Sequence, residues 1–300
     1  IVSWNTRDLL VRCIQTFVED AELADLTVEI IVVDNASSDG TQDTVRNNYP
    51  EITLLAQEHN LGFAAANNLG IERGRGRHLL ILNPDTELHP GALKHLWNAL
   101  HAAPHVGLVA PVLLNSDSSF QSAGFAFPGL VQTMLDLYPL HPRLVGSSLN
   151  GRYGQGDGLS PFRIDHPLGA CMLVRREVIE DVGGFDPGYF VYSEEIDLCR
   201  RIADAGWTIL CAPGSRVVHH GGQSTGQVAD RMQPQLHRSR SRYLRAYHSE
   251  RFHRMLGILM SAGVMMKRLG VPIPSGGRSA DELQEIASYY RDGGSEREHA

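Results

Sequence analysis

Short apolar runs alternate with amphipathic stretches from the first residue onward. Residues 1–3 read as the end of a buried strand. Residues 8–19 read as a helix with Leu9, Leu10, Cys13, Ile14 and Phe17 on one stripe. Strands at 28–33, 52–55 and 79–82 follow, separated by helices at 41–48 and from 60 to about 73. This alternation predicts an α/β fold: a single, mostly parallel sheet flanked by helices on both faces, with right-handed crossovers. Farther on, the pattern predicts a helix at 91–102, a strand at 106–112, an irregular stretch at 115–161 and a strand at 169–174. Helices at 176–182 and 193–205 and strands at 207–211 and 216–220 come next. The remainder reads as a basic helix, a weakly amphipathic helix and one more helix near 281–290 that frays beyond its end.

A parallel sheet places its loops on one rim, at the carboxyl ends of the strands, where open α/β sheets bind ligands. Ser3-Trp4-Asn5, Asp34-Asn35, Asn60 and Asp85 all fall on that rim. Asp85 is the central position. The run Leu79-Leu80-Ile81-Leu82 stops at Asn83-Pro84, because proline cannot donate to a ladder, and a carboxylate comes directly after. Asp85 either starts a turn and caps the helix near Gly91 or ligates a hard divalent cation together with substrate phosphates. Asp34 either closes an Asx-turn or accepts a hydrogen bond from a ribose or base edge. Asn60 and Gly62 form either an N-cap with a permissive glycine or a close approach to an anion at a helix N-terminus. Glu194-Glu195-Ile196-Asp197 either complements a helix dipole or holds a general base. His219 and His220 end a strand and face opposite ways, so at most one of them serves a site.

Composition narrows the class. The 300 residues suit one large domain, or one domain with a tail. A net charge of -7 disfavours a nucleic-acid partner held by general electrostatics. Within 231–254, however, arginine and histidine dominate and Glu250 is the only acid. Cys13, Cys171, Cys199 and Cys211 show no metal or redox spacing and read as reduced thiols, which implies a cytoplasmic setting. No apolar stretch reaches the length of a membrane span. The chain opens in mid-strand without a methionine, so a few residues are expected to precede Ile1.

The ordered set Ile1-Val2-Ser3-Trp4-Asn5, Val32 to Thr41, Asn60-Leu61-Gly62-Phe63 with Asn67-Asn68, and Leu82-Asn83-Pro84-Asp85 resembles inverting nucleotide-sugar glycosyltransferases of the GT-A fold. Gly169-Ala170-Cys171-Met172-Leu173, Gly183-Gly184-Phe185-Asp186, Tyr192 to Cys199, and His219 with Ser224 resemble the rhamnosyltransferase-type branch, which serves bacterial surface polysaccharide assembly. The resemblance spans residues 1 to about 247. It implies a glycosyltransferase domain over 1–230, with a nucleotide-sugar half (1–112) and an acceptor half (113–230). A basic helical extension follows at 231–300.

The same resemblance implies the roles. Val2, Ser3, Trp4, Asp34, Asn60, Gly62, Asn83 and Asp85 would bind the donor. Asp85 and His219 would hold Mg²⁺ or Mn²⁺. Glu195, with Glu194 beside it, would be the catalytic base. The implied partners are a nucleotide-diphosphate sugar, with dTDP-rhamnose favoured, and a glycan or lipid-linked acceptor. Arg238, Arg240, Arg242 and Arg245, with the helix 255–269, either rest on an anionic membrane or pack on the protein's own acidic surface. Two positions depart from the family pattern: Asn83 stands where an acid is common, and Glu195 where Asp is usual. The alternatives are a nucleotidyltransferase, which should carry a glycine-rich phosphate loop absent from Trp4-Asn5-Thr6-Arg7-Asp8, or an inactive sugar-nucleotide-binding protein.

Overall fold

The structure, a computed structural model, describes residues 1–222 and 229–292. The chain begins with β1 (Val2–Ser3), α1 (Arg7–Leu23), β2 (Ile31–Asp34), α2 (Thr41–Asn48), β3 (Thr53–Ala56) and α3 (Phe63–Arg73). Then come β4 (His78–Leu82), β5 (Thr86–Leu88), α4 (Ala92–Leu100), β6 (Val106–Leu114), β7 (Phe120–Ser122), α5 (Leu130–Leu137) and α6 (Pro142–Val145). The rest comprises β8 (Phe162–Arg163), β9 (Cys171–Arg175), α7 (Arg176–Val182), α8 (Glu194–Asp204), β10 (Thr208–His219), α9 (Ala229–Tyr247), α10 (Glu250–Arg268) and α11 (Ala280–Asp292).

These elements form two compact units, Ile1–Phe125 with Tyr153–Val228, and Ala126–Arg152 with Ala229–Ala300. The first holds every strand. Its β1, β2 and β3 are parallel, with Ser3 opposite Asp34 and Asp34 opposite Ala56. The other strands are ordered β4-β9-β6-β10-β5, with β7 on β6 and β8 on β10. Here only β6 and β10 run parallel, while β4–β9, β6–β9 and β10–β5 are antiparallel. A single, mostly parallel sheet is therefore corrected to a parallel three-stranded sheet and a larger mixed one. Uniformly apolar runs reveal burial on both faces but not strand direction, and β6 is buried at every position.

Helix α1 serves both sheets. Leu10 and Ile14 pack with Val32, Val45 and Ile52, whereas Cys13 and Phe17 join Leu82, Leu96, Val109, Cys171 and Val217. The strands expected at 207–211 and 216–220 are one strand, β10, whose register shifts between Ala212 and Arg216. The irregular stretch 115–161 contains β7, α5 and α6, and β8 follows it. Gln132 accepts the Gly129 N–H and so closes the first turn of α5.

The second unit is helical. Tyr138 donates to the Met260 carbonyl (3.3 Å), and its ring fills the space where a Cβ at Gly263 would lie 2.1 Å from the hydroxyl. Three arginines of α9 make contacts within this unit. Arg240 pairs with Asp136, Arg245 donates to the carbonyls of Tyr290 and Arg291 in the last turn of α11, and the Arg238 guanidinium lies 5.3 Å from the centre of the Tyr289 ring. The sequence-based expectation of a frayed terminus, and that for Ser224, concern residues outside the described ones.

One side chain fixes the loop that follows α7. Asn68 on α3 donates to the Phe185 carbonyl (2.8 Å) and accepts the Phe185 N–H (2.9 Å). Replacing Asn68 with Ala leaves both backbone groups unpaired, at a cost of about 1–3 kcal/mol each if they stay dry. Urea unfolding of Asn68→Ala should show a loss in that range; an unchanged midpoint would refute a supporting role for this pairing.

Candidate active site

The end of β10 pairs antiparallel with β5, so His219 lies opposite Thr86, beside Asp85. The His220 N–H donates to the Asp85 carbonyl (2.9 Å), which locks the strand ends together. Asp85 and His219 are both buried, and His219 Nε2 stands 3.5 Å from Asp85 Oδ1. Asp85 does not cap α4. Both oxygens of Asp20 accept there, from the N–H groups of Gly91 and Leu93. His220 turns the other way, to Glu87 and Ser116.

Gln121 fixes the histidine ring. Its amide nitrogen donates to the His219 carbonyl and to Asn115 Oδ1 (3.0 Å each), so its oxygen is the atom that meets His219 Nδ1 at 2.9 Å. Nδ1 therefore donates to Gln121, and Nε2 faces the Asp85 carboxylate. A cation held between Nε2 and the carboxylate would take an electron pair from each. The Asn83 amide oxygen is also buried without a partner. These residues fit a divalent cation that takes only two or three protein ligands and completes its shell with phosphate oxygens. Among the described residues no group of three or more His, Cys, Asp or Glu converges on one point. Gln121 gave no signal in the sequence, because its role depends on pairing across a long loop.

Asp34 is fully buried at the end of β2. One oxygen accepts from the Ser37 N–H and from Gln42; the other has no partner. It closes an Asx-turn with one oxygen and leaves the other unpaired. Val2 packs with Val33 and Ala66, and Ser3 Oγ pairs with Thr6 Oγ1. Of the first three donor-binding candidates, only Trp4 keeps a partly exposed side chain.

Asn60 and Gly62 shape the local backbone, as the first of the two sequence readings has it. Asn60 Oδ1 accepts the Gly62 N–H, and Gly62 has φ +80°. A Cβ there would lie 2.4 Å from the Phe190 carbonyl, which accepts the Phe63 N–H (2.6 Å). The close approach that Gly62 permits is thus made by the chain's own segment 184–190, held also by Asn68. That segment runs into Tyr192 and Ser193, both at positive φ (69° and 66°), and then into α8. Two consecutive non-glycine residues in the left-handed region are strained, and such strain gathers at functional sites.

Helix α8 opens with Glu194 and Glu195. Each has one carboxylate oxygen buried without a partner, unlike Asp197, which pairs with Arg201 (2.8 Å). A Cβ at Gly169 would lie 3.2 Å from Glu195 Cβ, so the glycine makes room for this side chain. Its neighbour Ala170 accepts the Asn83 N–H (2.8 Å), so Glu195 and the Asn83–Asp85 turn share one strand end. Burial raises the Glu195 carboxyl to about 7. Burial, reinforced by the charge of Glu195, also pushes Glu194 well above the usual range. The site thus combines a carboxyl poised near neutrality with a buried carboxylate–imidazole pair. A buried apolar cavity of about 370 Å³, lined by Ile31, Leu79 and Leu80 among others, includes none of these residues.

The comparisons agree with this geometry. The model described as Glycosyl transferase family 2 matches residues 1–183, and Glycosyl transferase family group 2 matches 156–270. The chain belongs to glycosyl transferase family 2. It is 32% identical over 217 residues to an N-acetylglucosaminyl-diphospho-decaprenol L-rhamnosyltransferase of Mycobacterium tuberculosis, covering 67% of this chain and 69% of that protein. A shorter stretch of 57 residues is 42% identical to Rhamnosyltransferase WbbL of Escherichia coli, covering 19% of this chain and 22% of that one. A solved structure of GalNAc-T7 with UDP, GalNAc and Mn²⁺ superposes with a TM-score of 0.52 at 17% identity, over 70% of this chain and 40% of that one. That likeness shows the fold, which is GT-A. The chain is a glycosyltransferase, which removes the nucleotidyltransferase alternative.

The raised Glu195 carboxyl has a consequence for stability. From its ordinary value of 4.5 up to about 7, the folded protein keeps a proton that the unfolded chain releases. Stability therefore falls as pH rises through that window. Between pH 5 and pH 8 the wild type should lose on the order of 2 kcal/mol more than Glu195→Gln in urea unfolding. Parallel losses in the two proteins would contradict a Glu195 carboxyl that burial keeps protonated up to about pH 7.

Proposed function

We propose that this glycosyltransferase is inverting and moves a deoxyhexose, L-rhamnose from dTDP-rhamnose, onto a lipid-linked glycan acceptor at the cytoplasmic face of a membrane. The observation that carries the reaction type is the unpartnered, buried Glu195 carboxylate at the strand end that also bears Asn83 and Asp85. The rhamnosyl donor and the lipid-linked acceptor draw support from the name of the mycobacterial relative.

In this reading Glu195 takes the proton of an acceptor hydroxyl as that oxygen attacks the anomeric carbon from the side opposite the leaving nucleotide diphosphate. One displacement inverts the centre. Asp85 and His219, with the Asn83 amide oxygen close by in the chain, hold the divalent cation, Mg²⁺ or Mn²⁺. When bound, that cation offsets the charge that grows on the diphosphate. Asp34 accepts a hydrogen bond from the base or ribose through its free oxygen, and Trp4 offers the base an apolar surface. Burial holds the base near neutrality, and its charge disfavours a second one on Glu194.

Two outcomes follow. Glu195→Gln should lower transfer at least a thousandfold while dTDP-rhamnose still binds, as measured by calorimetry and product formation; near-normal transfer would remove Glu195 from the mechanism. In the wild type, kcat/KM should climb with pH and level off above about 7, the value of the base. A binding screen of dTDP-rhamnose, UDP-sugars and GDP-sugars tests the donor: a preference for a UDP- or GDP-sugar would overturn the rhamnosyl assignment.

A further inference from the structure

We propose that one face of α10 docks on an anionic lipid surface. Met255, Ile258, Leu259, Met265, Met266 and Leu269 recur at the three-and-four spacing that lines one side of a helix, over a length of about 21 Å. All are exposed, Ile258 by 69%, Met265 by 62% and Leu269 by 71%. The opposite side of the same helix, Leu256, Met260, Gly263 and Val264, is the side buried in the helical unit. The exposed face is thus a second apolar stripe on a helix that has already satisfied its own core, and isolated surface apolar residues do not line up in this way.

The charges choose the occupant. Helix α10 carries Arg251, Arg254, Lys267 and Arg268 against a single acid of its own, Glu250, in a chain whose net charge is -7, and of these Arg268 pairs with Asp281 of α11 (3.4 Å). Arg251 and Arg254 lie at the start of the stripe, are exposed, and pair with no acid among the described residues. A second copy of this face would bring like charge against like. Anionic headgroups complement the cations while the acyl boundary takes the apolar side chains, the pattern of a helix lying in the membrane interface. The sequence-based candidates are the arginines of α9 together with the helix 255–269; of these, Arg240 and Arg245 are bound within their own unit and Arg238 lies over Tyr289, so the case rests on α10.

The inference rests on the lipid-linked-acceptor reading for its purpose, not for its geometry. Vesicle flotation of the full chain therefore tests it without any acceptor present. Wild-type protein should float with phosphatidylglycerol–phosphatidylcholine vesicles, and the bound fraction should fall in high salt. Ile258→Asp/Met265→Asp should bind at least tenfold less, with its circular dichroism spectrum and donor hydrolysis unchanged. Arg251→Ala/Arg254→Ala should bind anionic vesicles several-fold less. Three results would overturn the proposal: wild-type protein that stays in the soluble fraction, an Asp variant that floats like wild type, or a wild-type dimer that the Asp variant dissociates, which would assign the face to a second copy. Transfer to a water-soluble acceptor but not to a lipid-linked one would instead count against the acceptor reading and leave the docking face standing.

Discussion

The antiparallel pairing of β5 with the end of β10 is the constraint on which the site depends. It brings a histidine from late in the chain against a carboxylate that follows β4, and it does so with both side chains buried. Burial makes the juxtaposition consequential. In water an imidazole nitrogen and a carboxylate 3.5 Å apart would each be solvated; here the neighbours set what they can do. Gln121 accepts from the far nitrogen and leaves the near one facing the carboxylate. In the proposed function this notch would hold a divalent cation.

The second constraint is the path from α3 to α8. Gly62 admits the Phe190 carbonyl, Asn68 grips Phe185, and the strained pair Tyr192-Ser193 then delivers Glu194 and Glu195 to the Gly169-Ala170 strand end. Residues from the first 70 positions of the chain thus set where Glu194 and Glu195 stand. This arrangement also explains why two acids at a helix start go unpaired. Their environment is fixed by backbone contacts, and the cost of burying them is met by the packing of that segment.

Much of this was legible in the sequence. The periodicity from 1 to 82 gives the elements of the first sheet to within a few residues, because α1, α2 and β2 have strong local patterns. Asp34, Asp85, Glu195 and His219 are identifiable as a set through their order along the chain. Strand direction was not legible, since the fully buried runs of β6 and β9 look alike whichever way they pair. Helix α5 was hidden by its glycine- and proline-rich surroundings. Gln121, Asn68 and the true service of Gly62 were hidden because each acts across a long sequence separation, where no local pattern records the partner. For the same reason Asp20, not Asp85, proved to cap α4. On α9, basic composition alone pointed to an outward-facing helix, yet Arg240 and Arg245 are bound to neighbours brought from residue 136 and from residues 290–291.

The central claim is that Asp85 and His219 together hold the cation of the donor diphosphate. Titration of Mn²⁺ into the protein with dTDP present, followed by electron paramagnetic resonance, tests it directly. The account predicts one Mn²⁺ per chain whose affinity rises when dTDP is bound and falls at least tenfold in both Asp85→Asn and His219→Ala. Equal Mn²⁺ affinity in wild type and both variants would contradict it, as would dTDP-sugar binding that is indifferent to EDTA.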